Sequence, residues 1–180
     1  METCRLVPHP DHPPLAVTGI AARIGGTGGP WLRLRWIVEG AARVVIPPFV
    51  GKGRADDLWR TTCFELFVGS PHAPGYVEFN LSPSERWAAY DFAAYREGMA
   101  NRAMPRDPVC TPRCGRDTLI FDADLPMAGL PPLPWVAGMT AVIEEEGGIR
   151  SYWALRHPDG KADFHHRDCL AIEVPAPEAP

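Results

Sequence analysis

Helix-breaking residues are spread along the whole chain, and this feature restricts the fold more than any other. The sequence has 17 glycines and 21 prolines, which are scattered instead of being confined to one linker. Proline lacks a backbone N–H and clashes with the preceding helical turn, while glycine favours turns, so the chain is divided into many short elements. Short elements joined by turns are typical of all-β proteins, and we expect an antiparallel β-sandwich.

Length and charge narrow the class of protein. A chain of this size buries about 70% of the surface that its unfolded form exposes, which is enough for one sizeable core. We therefore predict a single domain over residues 1–174, followed by a disordered tail at 175–180. The formal net charge is −4. Nucleic-acid binders need clustered lysine and arginine to displace counterions from phosphates, so no nucleic-acid partner is expected.

Targeting and membrane signals are not evident in the sequence. The first 22 residues carry prolines and histidines instead of the charged start and apolar stretch of a signal peptide. No run of about 18 apolar residues could span a bilayer. The five cysteines are an odd number without framework spacing, which favours a reducing compartment. We expect a cytoplasmic protein with no membrane partner.

Alternating apolar and polar residues predict a series of strands. In residues 31–39, Leu32, Leu34 and Trp36 fall on one side and arginines fall on the other. Other segments rich in β-branched or aromatic residues are also strand candidates: 15–24, 61–68, 76–81, 118–124, 139–145, 149–155 and 169–174. The turn residues at 69–75 predict a hairpin between its flanking strands.

Two segments leave their structure open. Residues 82–85, Ser-Pro-Ser-Glu, carry helix-capping chemistry, but residues 86–92 are rich in aromatics and directly follow a strand, so we favour a strand there over a helix. Residues 97–116 are polar, contain prolines and lack periodicity, which predicts a surface loop or a short irregular helix, with Cys110 and Cys114 facing solvent. The total is about nine or ten short strands, as in a jelly-roll-like sandwich.

Polar residues inside the strand candidates are the first sign of a site. Glu65 lies within one strand of the predicted hairpin, and Glu78 and Asn80 lie within the other. They either face solvent on an outer surface or line a concave face and hydrogen-bond a polar ligand. Whether all three share a face depends on register, because a slip of one residue reverses the side on which a side chain lies.

Residues 56–68, Asp-Asp-Leu-Trp-Arg-Thr-Thr-Cys-Phe-Glu-Leu-Phe-Val, resemble part of the DOMON-like domains and family 9 carbohydrate-binding modules. In that superfamily a Leu-Trp pair precedes a central strand with a glutamate, and strands similar to 76–81 and 86–92 follow. Residues 151–155 and 163–174 are similar to the end of bacterial DOMON-like proteins. The resemblance spans about residues 15–174. It implies a jelly-roll-like β-sandwich without catalytic machinery that binds sugars in some members and haem in others.

The resemblance also implies site residues. In the sugar-binding modules two tryptophans enclose a sugar ring, and a glutamate and an arginine hydrogen-bond its hydroxyls. Trp59 matches the first tryptophan, Glu65 the glutamate and Arg86 the arginine, while Trp153 is the first choice for the second tryptophan and Trp87 the next. With the strand residue added, the expected carbohydrate site is Trp59, Glu65, Asn80, Arg86 and Trp153.

Two non-enzymatic alternatives remain open at this stage. The same residues could knit together the core of an interaction or scaffold domain that has no small-molecule site. A haem carrier would need a methionine and a histidine as axial ligands, and no pair stands out. The candidates are Met99, Met104, Met127, Met139, His157, His165 and His166.

An enzyme is not expected. Glu65 and Glu78 could act as the carboxylate pair of a glycoside hydrolase if their carboxyls were about 5 to 9 Å apart. However, the sequence has no Gly-flanked nucleophile elbow and no metal-binding histidine spacing. The acidic groups at 56–57 and 144–146 lack the spacing of calcium ligands, so neither a metal nor another cofactor is predicted.

Overall fold

The computed structural model of the protein describes residues 3–176, and its regular structure is almost entirely β. In this range the helical elements are four single turns of 3-10 helix, at Ala41–Arg43, Leu58–Arg60, Met127–Gly129 and Arg167–Cys169. None of these helices has the length and apolar character needed to cross a bilayer. The strands are β1 (Thr3–Pro8), β2 (Gly19–Ile24), β3 (Trp31–Glu39), β4 (Gly53–Arg54), β5 (Cys63–Gly69), β6 (Tyr76–Leu81), β7 (Arg86–Phe92), β8 (Ala100–Asn101), β9 (Val109–Cys114), β10 (Thr118–Pro126), β11 (Trp135–Glu145), β12 (Ile149–Ala154) and β13 (Ile172–Val174).

Eleven of the strands follow one another in a single curled sheet. Their order is β4, β7, β6, β5, β11, β12, β1, β2, β3, β10 and β9, while β8 pairs with β7 and β13 pairs with β11. β4 and β7 run parallel, and the other pairings are antiparallel. β1 connects the two halves of the sheet, because residues 3–6 pair with β2 and residues 7–8 pair with β12.

The main hydrophobic core lies where the two halves of the curled sheet pack against each other. In β3 the even-numbered side chains are buried and the arginines between them are exposed, as the period-two pattern predicts. The ring of Trp36 lies 5.4 Å from that of Phe64 in β5, and Phe64 stacks on Phe121 of β10 at 4.5 Å. Strands from both halves therefore contribute aromatic rings to one core.

The strand predictions around the hairpin are confirmed. β5 and β6 pair in antiparallel fashion, with Phe64 opposite Leu81 and Gly69 opposite Tyr76. Residues 86–92 form β7, which pairs with β6, so the strand interpretation is correct. Glu85 has a φ of 65° and its N–H donates to the Ser82 carbonyl at 3.0 Å. The capping-type sequence at 82–85 therefore forms a tight turn, because the pairing of β7 with β6 prevails over the local preference for helix.

The prediction for residues 97–116 is wrong for part of the segment. It contains β8, and β9 lies along β10 at one edge of the sheet. The Cys110 side chain is buried and Cys114 is exposed, so the two cysteines do not form a solvent-facing loop pair. Pro112 lies within β9 and argued against a strand, but an edge strand tolerates proline because one side of its backbone needs no partner.

The all-β class is confirmed, whereas nine or ten strands is too few. The sequence patterns missed β1, β4, β8 and β9. Strand pairing continues through β1, so the described strands form one curled sheet. The jelly-roll-like sandwich and the single domain over residues 1–174 stay predictions. Of the tail predicted at 175–180, residues 177–180 lie outside the described residues.

Candidate functional site

A cavity of about 990 Å³ lies on the face of β5, β6, β7 and β11 that points away from the main core. Successive side chains of a strand point to opposite faces, so alternate residues divide between the two environments. Phe64, Leu66 and Phe79 belong to the main core. The residues of the long strands that line the cavity are Glu65, Phe67, Glu78, Asn80, Tyr90, Phe92, Val142 and Tyr152.

Segments outside the long strands complete the walls of the cavity. The 3-10 turn before β5 contributes Trp59, and the chain around β8 and the loop after β12 supply further residues. The wall residues are His12, Asp56, Asp57, Trp59, Arg96, Met99, Ala100, Asn101, Lys161, Ala162, Phe164 and His165. The cavity therefore has a rigid floor of paired strands and walls made of loops.

Register places three polar side chains on the floor. Glu65 lies directly opposite Asn80 in the β5–β6 pairing, and Glu78 lies two residues from Asn80 on the same face. The Asn80 amide Nδ2 donates to Glu78 Oε1 at 2.7 Å, and the Thr140 hydroxyl donates to Glu65 Oε2 at 3.2 Å. Glu65 is 3% exposed and Glu78 is 7% exposed, so both carboxyl groups are largely removed from solvent.

Burial controls the protonation of these two carboxyls. Burial raises the pKa of Glu65 well above its ordinary value, and the charge of Glu78 raises it further. Burial also raises the pKa of Glu78, against the opposing effects of the Asn80 hydrogen bond and the positive charge of Arg96. A carboxyl that keeps its proton can donate a hydrogen bond as well as accept one.

His165 lies beside Glu78 as a neutral ring. Burial and the positive charge of Arg96 lower the pKa of His165 to about 4, although Asp163 opposes them. The Arg96 backbone N–H donates to the Tyr76 hydroxyl oxygen at 3.2 Å, and the Tyr76 hydroxyl lies 2.7 Å from His165 Nδ1. Because the neutral ring has one N–H, we assign the hydroxyl as donor to Nδ1 and the ring proton to Nε2, which lies 3.9 Å from Glu78 Oε2.

The charged groups on the walls are largely engaged with one another. Arg96 Nη2 lies 2.7 Å from Asp163 Oδ1, and the Tyr95 hydroxyl also contacts the Asp163 carboxylate. The Tyr90 hydroxyl donates to Asp56 Oδ1 at 2.6 Å, which ties the 3-10 turn before β5 to β7. These contacts fix the positions of the wall segments relative to the floor.

Aromatic side chains surround the polar floor. Trp59 is 46% exposed, and the Arg60 guanidinium lies 5.4 Å from the centre of its ring. Tyr90, Phe164 and Tyr152 line other parts of the cavity. An aromatic face packs well against an apolar C–H surface, while the floor supplies hydrogen-bonding groups within the same space.

Comparisons with known proteins bear on the fold. No protein-family model matches the chain, and no curated protein matches it in sequence. A candidate carbohydrate-binding protein from Bacteroides uniformis ATCC 8492 has a similar structure, with a TM-score of 0.66 and 16% identity over 96% of this chain and 86% of that one. A family 9 carbohydrate-binding module from Caldicellulosiruptor kristjanssonii, in complex with glucose, has a TM-score of 0.50 and 10% identity over 90% and 78%.

The chain shares the fold of these two proteins. At 16% and 10% identity, the similarity concerns the fold alone. Neither structure is described as a DOMON-like domain, so the DOMON-like relationship stays a prediction.

Three of the five expected site residues come together. Trp59, Glu65 and Asn80 all line the cavity. Arg86 does not, because it stands at the start of β7, where its Nη1 lies 3.4 Å from the Gly51 carbonyl oxygen; its buried Nε has no hydrogen-bond partner within residues 3–176. Trp153 does not line it either, because it is 3% exposed in the main core and its Nε1 donates to Ser151 Oγ at 2.8 Å.

The second-choice tryptophan also belongs to the core. Trp87 is buried in the main core, because its side chain points to the face of β7 opposite the cavity. The aromatic residues that β7 does present are Tyr90 and Phe92, and Tyr90 pairs with Glu78. Once Glu78 is placed on the cavity face, the antiparallel pairing and period two lead to Tyr90, so this residue had a readable signal.

Other cavity residues had no such signal. Arg96 and His165 lie in irregular segments far apart in sequence, and Tyr152 lies in a strand whose face depends on its pairing with β11.

As for metals, residues 3–176 contain no cluster of His, Cys, Asp or Glu arranged to hold an ion. In the acidic run 144–146, the buried Glu145 carboxylate instead accepts backbone N–H groups from residues 15–17.

Proposed function

We propose that the protein binds a small carbohydrate, without transforming it, in the cavity on the β5–β6–β7 face. The observation that carries this proposal is the meeting of the exposed Trp59 ring with the buried Glu65, Glu78 and Asn80 groups around one open space. A sugar ring has apolar C–H faces and hydroxyl edges. It can therefore stack on an aromatic ring and exchange hydrogen bonds with carboxyl and amide groups at the same time.

The fold supports this reading at a general level. Both similar structures described above are carbohydrate-binding by description, and one contains glucose. We use glucose as the first probe for that reason. The jelly-roll-like sandwich and the DOMON-like relationship belong to the same proposal, since they would place the cavity on the outer face of one sheet of a two-layer fold.

A scaffold role without a small-molecule site is the first alternative. It would require Trp59, Glu65 and Asn80 to fill a packed interior. They instead line a cavity of about 990 Å³, in the size range of small-molecule pockets. A buried carboxyl with an oxygen left open to a cavity adds nothing to core stability, which favours a ligand as its partner.

A haem carrier is the second alternative. Met99 and His165 line the cavity, so an axial pair can be named. However, His165 Nδ1 is engaged by the Tyr76 hydroxyl, and Nε2 lies 3.9 Å from Glu78 Oε2. These contacts do not fit a ring nitrogen that is free to bind iron, and we derive no function through haem.

We further propose a non-catalytic role and a reducing location. Glu65 and Glu78 share the cavity face, but burial raises the pKa of both. The two carboxyls therefore do not divide into the clear acid and the clear base that glycoside hydrolysis uses. Release of nitrophenol from nitrophenyl glycosides by the purified protein would overturn this part.

All five cysteines are free, consistent with a cytoplasmic location.

Calorimetric titration with glucose and its disaccharides tests the proposal. We expect saturable binding by the wild-type protein and at least a tenfold weaker affinity for Trp59→Ala, along with loss of any sugar-induced change in tryptophan fluorescence. Phe49→Ala is the matched control, because Phe49 is an exposed aromatic residue that does not line the cavity. Equal affinity in Trp59→Ala and wild type, or absence of binding across the sugars, would overturn the proposal.

A further inference from the structure

The two carboxyl groups on the cavity floor have no cationic partner among residues 3–176. Glu65 forms no ion pair there, and the contact nearest to one for Glu78 is His165 Nε2 at 3.9 Å. His165 is neutral at physiological pH, since burial lowers its pKa to about 4. Arg96 is directed to Asp163, and the exposed Lys161 makes no ion pair with the floor. Two acidic groups therefore lie at the bottom of the cavity without a direct cationic partner among these residues, and the positive charge of Arg96 on the wall acts on Glu78 without contacting it.

Each carboxyl also has an oxygen left open. Glu65 uses Oε2 to accept from Thr140, and its Oε1 forms no hydrogen bond with residues 3–176. Glu78 uses Oε1 to accept from Asn80, and its Oε2 has only the long contact with His165. Both residues are more than nine-tenths buried and line the cavity. These open oxygens are thus available to a donor or a positive charge of a ligand that enters the cavity.

We infer that the cavity selects a carbohydrate with a free, protonated amine, such as a hexosamine, over the corresponding neutral sugar. The inference rests on the proposed function and specifies its ligand class. An ammonium group has three donors and one positive charge, which matches two open carboxyl oxygens on one face. The same group gains from nearby aromatic faces, and Tyr90 and Phe67 line the space around it.

Charge at other positions fits the same ligand. A negatively charged sugar would disfavour ionisation of the two floor carboxyls, whose pKa values burial already raises, whereas a bound ammonium group would favour their ionised form. The cations Arg96 and Lys161 lie on exposed wall segments and not on the floor. A hexosamine would therefore insert its amine end toward β5 and β6 and leave its neutral hydroxyls toward the exposed walls.

Calorimetry with three related sugars tests the inference. Glucosamine should bind at least tenfold more tightly than glucose at pH 6.5, and N-acetylglucosamine, which lacks the charge, should show no such advantage. Equal affinities for glucosamine and glucose would overturn the inference and leave the proposed function intact. Failure of all three sugars to bind would instead reject the proposed function.

Variants locate the source of the preference. Glu78→Gln keeps the size of the side chain and removes its charge, so the ratio of glucosamine to glucose affinity should fall by about tenfold. Glu173→Gln, on the exposed side of β13 and outside the cavity, should keep the wild-type ratio. An unchanged ratio in Glu78→Gln would overturn the inference. If that variant does not fold, as judged by circular dichroism, Glu65→Gln is measured in the same way with the same expected fall.

Discussion

Glu65 on β5 lies directly opposite Asn80 on β6, and both side chains line the same cavity. This relationship fixes the polar floor, because Asn80 in turn donates to Glu78 Oε1 at 2.7 Å. A slip of one residue between the strands would turn Glu65 into the main core, beside Phe64 and Leu66. The register of one hairpin thus decides whether these carboxyls can meet a ligand.

Stability should fall as pH rises, through Glu65. The unfolded chain releases a glutamate proton near pH 4.3, whereas the folded chain keeps the Glu65 proton to a higher pH because its pKa is raised by burial. Between those two pH values the folded state holds the extra proton, so its stability declines as pH increases. Urea unfolding at pH 5 and pH 8 should show a smaller decline for Glu65→Gln than for wild type.

Glu173→Gln, an exposed glutamate on β13, serves as the control for this comparison and should follow the wild-type decline. Parallel profiles for wild type and Glu65→Gln would show that the Glu65 carboxyl is ionised in the folded protein like an exposed one.

His165 should act in the opposite direction at lower pH. Its pKa in the folded protein is lowered to about 4 by burial and by Arg96, whereas the unfolded value is near 6.5. Below pH 6.5 the unfolded chain binds a proton at this imidazole, whereas the folded protein does not, so stability is lost as pH falls toward 4. NMR titration of the imidazole should give a midpoint near pH 4, and His165→Gln should remove this component of the stability loss.

His72→Gln is the control, because His72 lies on an exposed loop away from the cavity. A midpoint near 6.5 for His165 would mean that its ring is solvated and that Glu78 has a cationic neighbour.

Glu145 should be a structural residue. Its buried carboxylate accepts the N–H groups of Leu15, Ala16 and Val17 at 2.7, 2.7 and 3.1 Å. Hydrogen bonds to charged groups contribute about 1.5 to 3 kcal/mol each. In Glu145→Gln, the amide N–H₂ group would face these N–H donors in place of an oxygen. We therefore expect the free energy of unfolding, measured with urea, to fall by about 2 to 4 kcal/mol. Glu144→Gln, the half-buried neighbour, should cost little. Equal unfolding midpoints for the two variants would contradict this role.

Substitution of Trp153 should lower the stability of the fold, whereas substitution of Trp59 should weaken sugar binding. Trp153 is buried in the main core, so Trp153→Ala should lower the free energy of unfolding by about 3 to 5 kcal/mol. Trp59 is 46% exposed, and Trp59→Ala should change stability by less than about 1 kcal/mol while it weakens sugar binding at least tenfold. Comparable losses of stability in both variants, measured by thermal unfolding, would show that Trp59 supports the fold instead of a ligand.

Much of the site could be foreseen where a regular pattern carried the information. Glu65 and Asn80 stand in strands with clear alternation, and Trp59 stands in a segment that resembles sugar-binding modules. Arg86 and Trp153 were placed in the site through the resemblance, yet neither lines the cavity. Arg86 is the first residue of its strand, and the Trp153 side chain points to the core face of β12. Short motifs do not encode either position.

The sequence by itself determined the all-β class and the β5–β6 hairpin, because each depends on periodicity and turn chemistry within a few neighbouring residues. Only the tertiary structure decided which face each strand presents, how β1 joins the two halves of the sheet, and that Arg96 and His165 meet the floor formed by β5 and β6. These features depend on pairing and packing between residues that are distant in the chain, and no local pattern records such contacts.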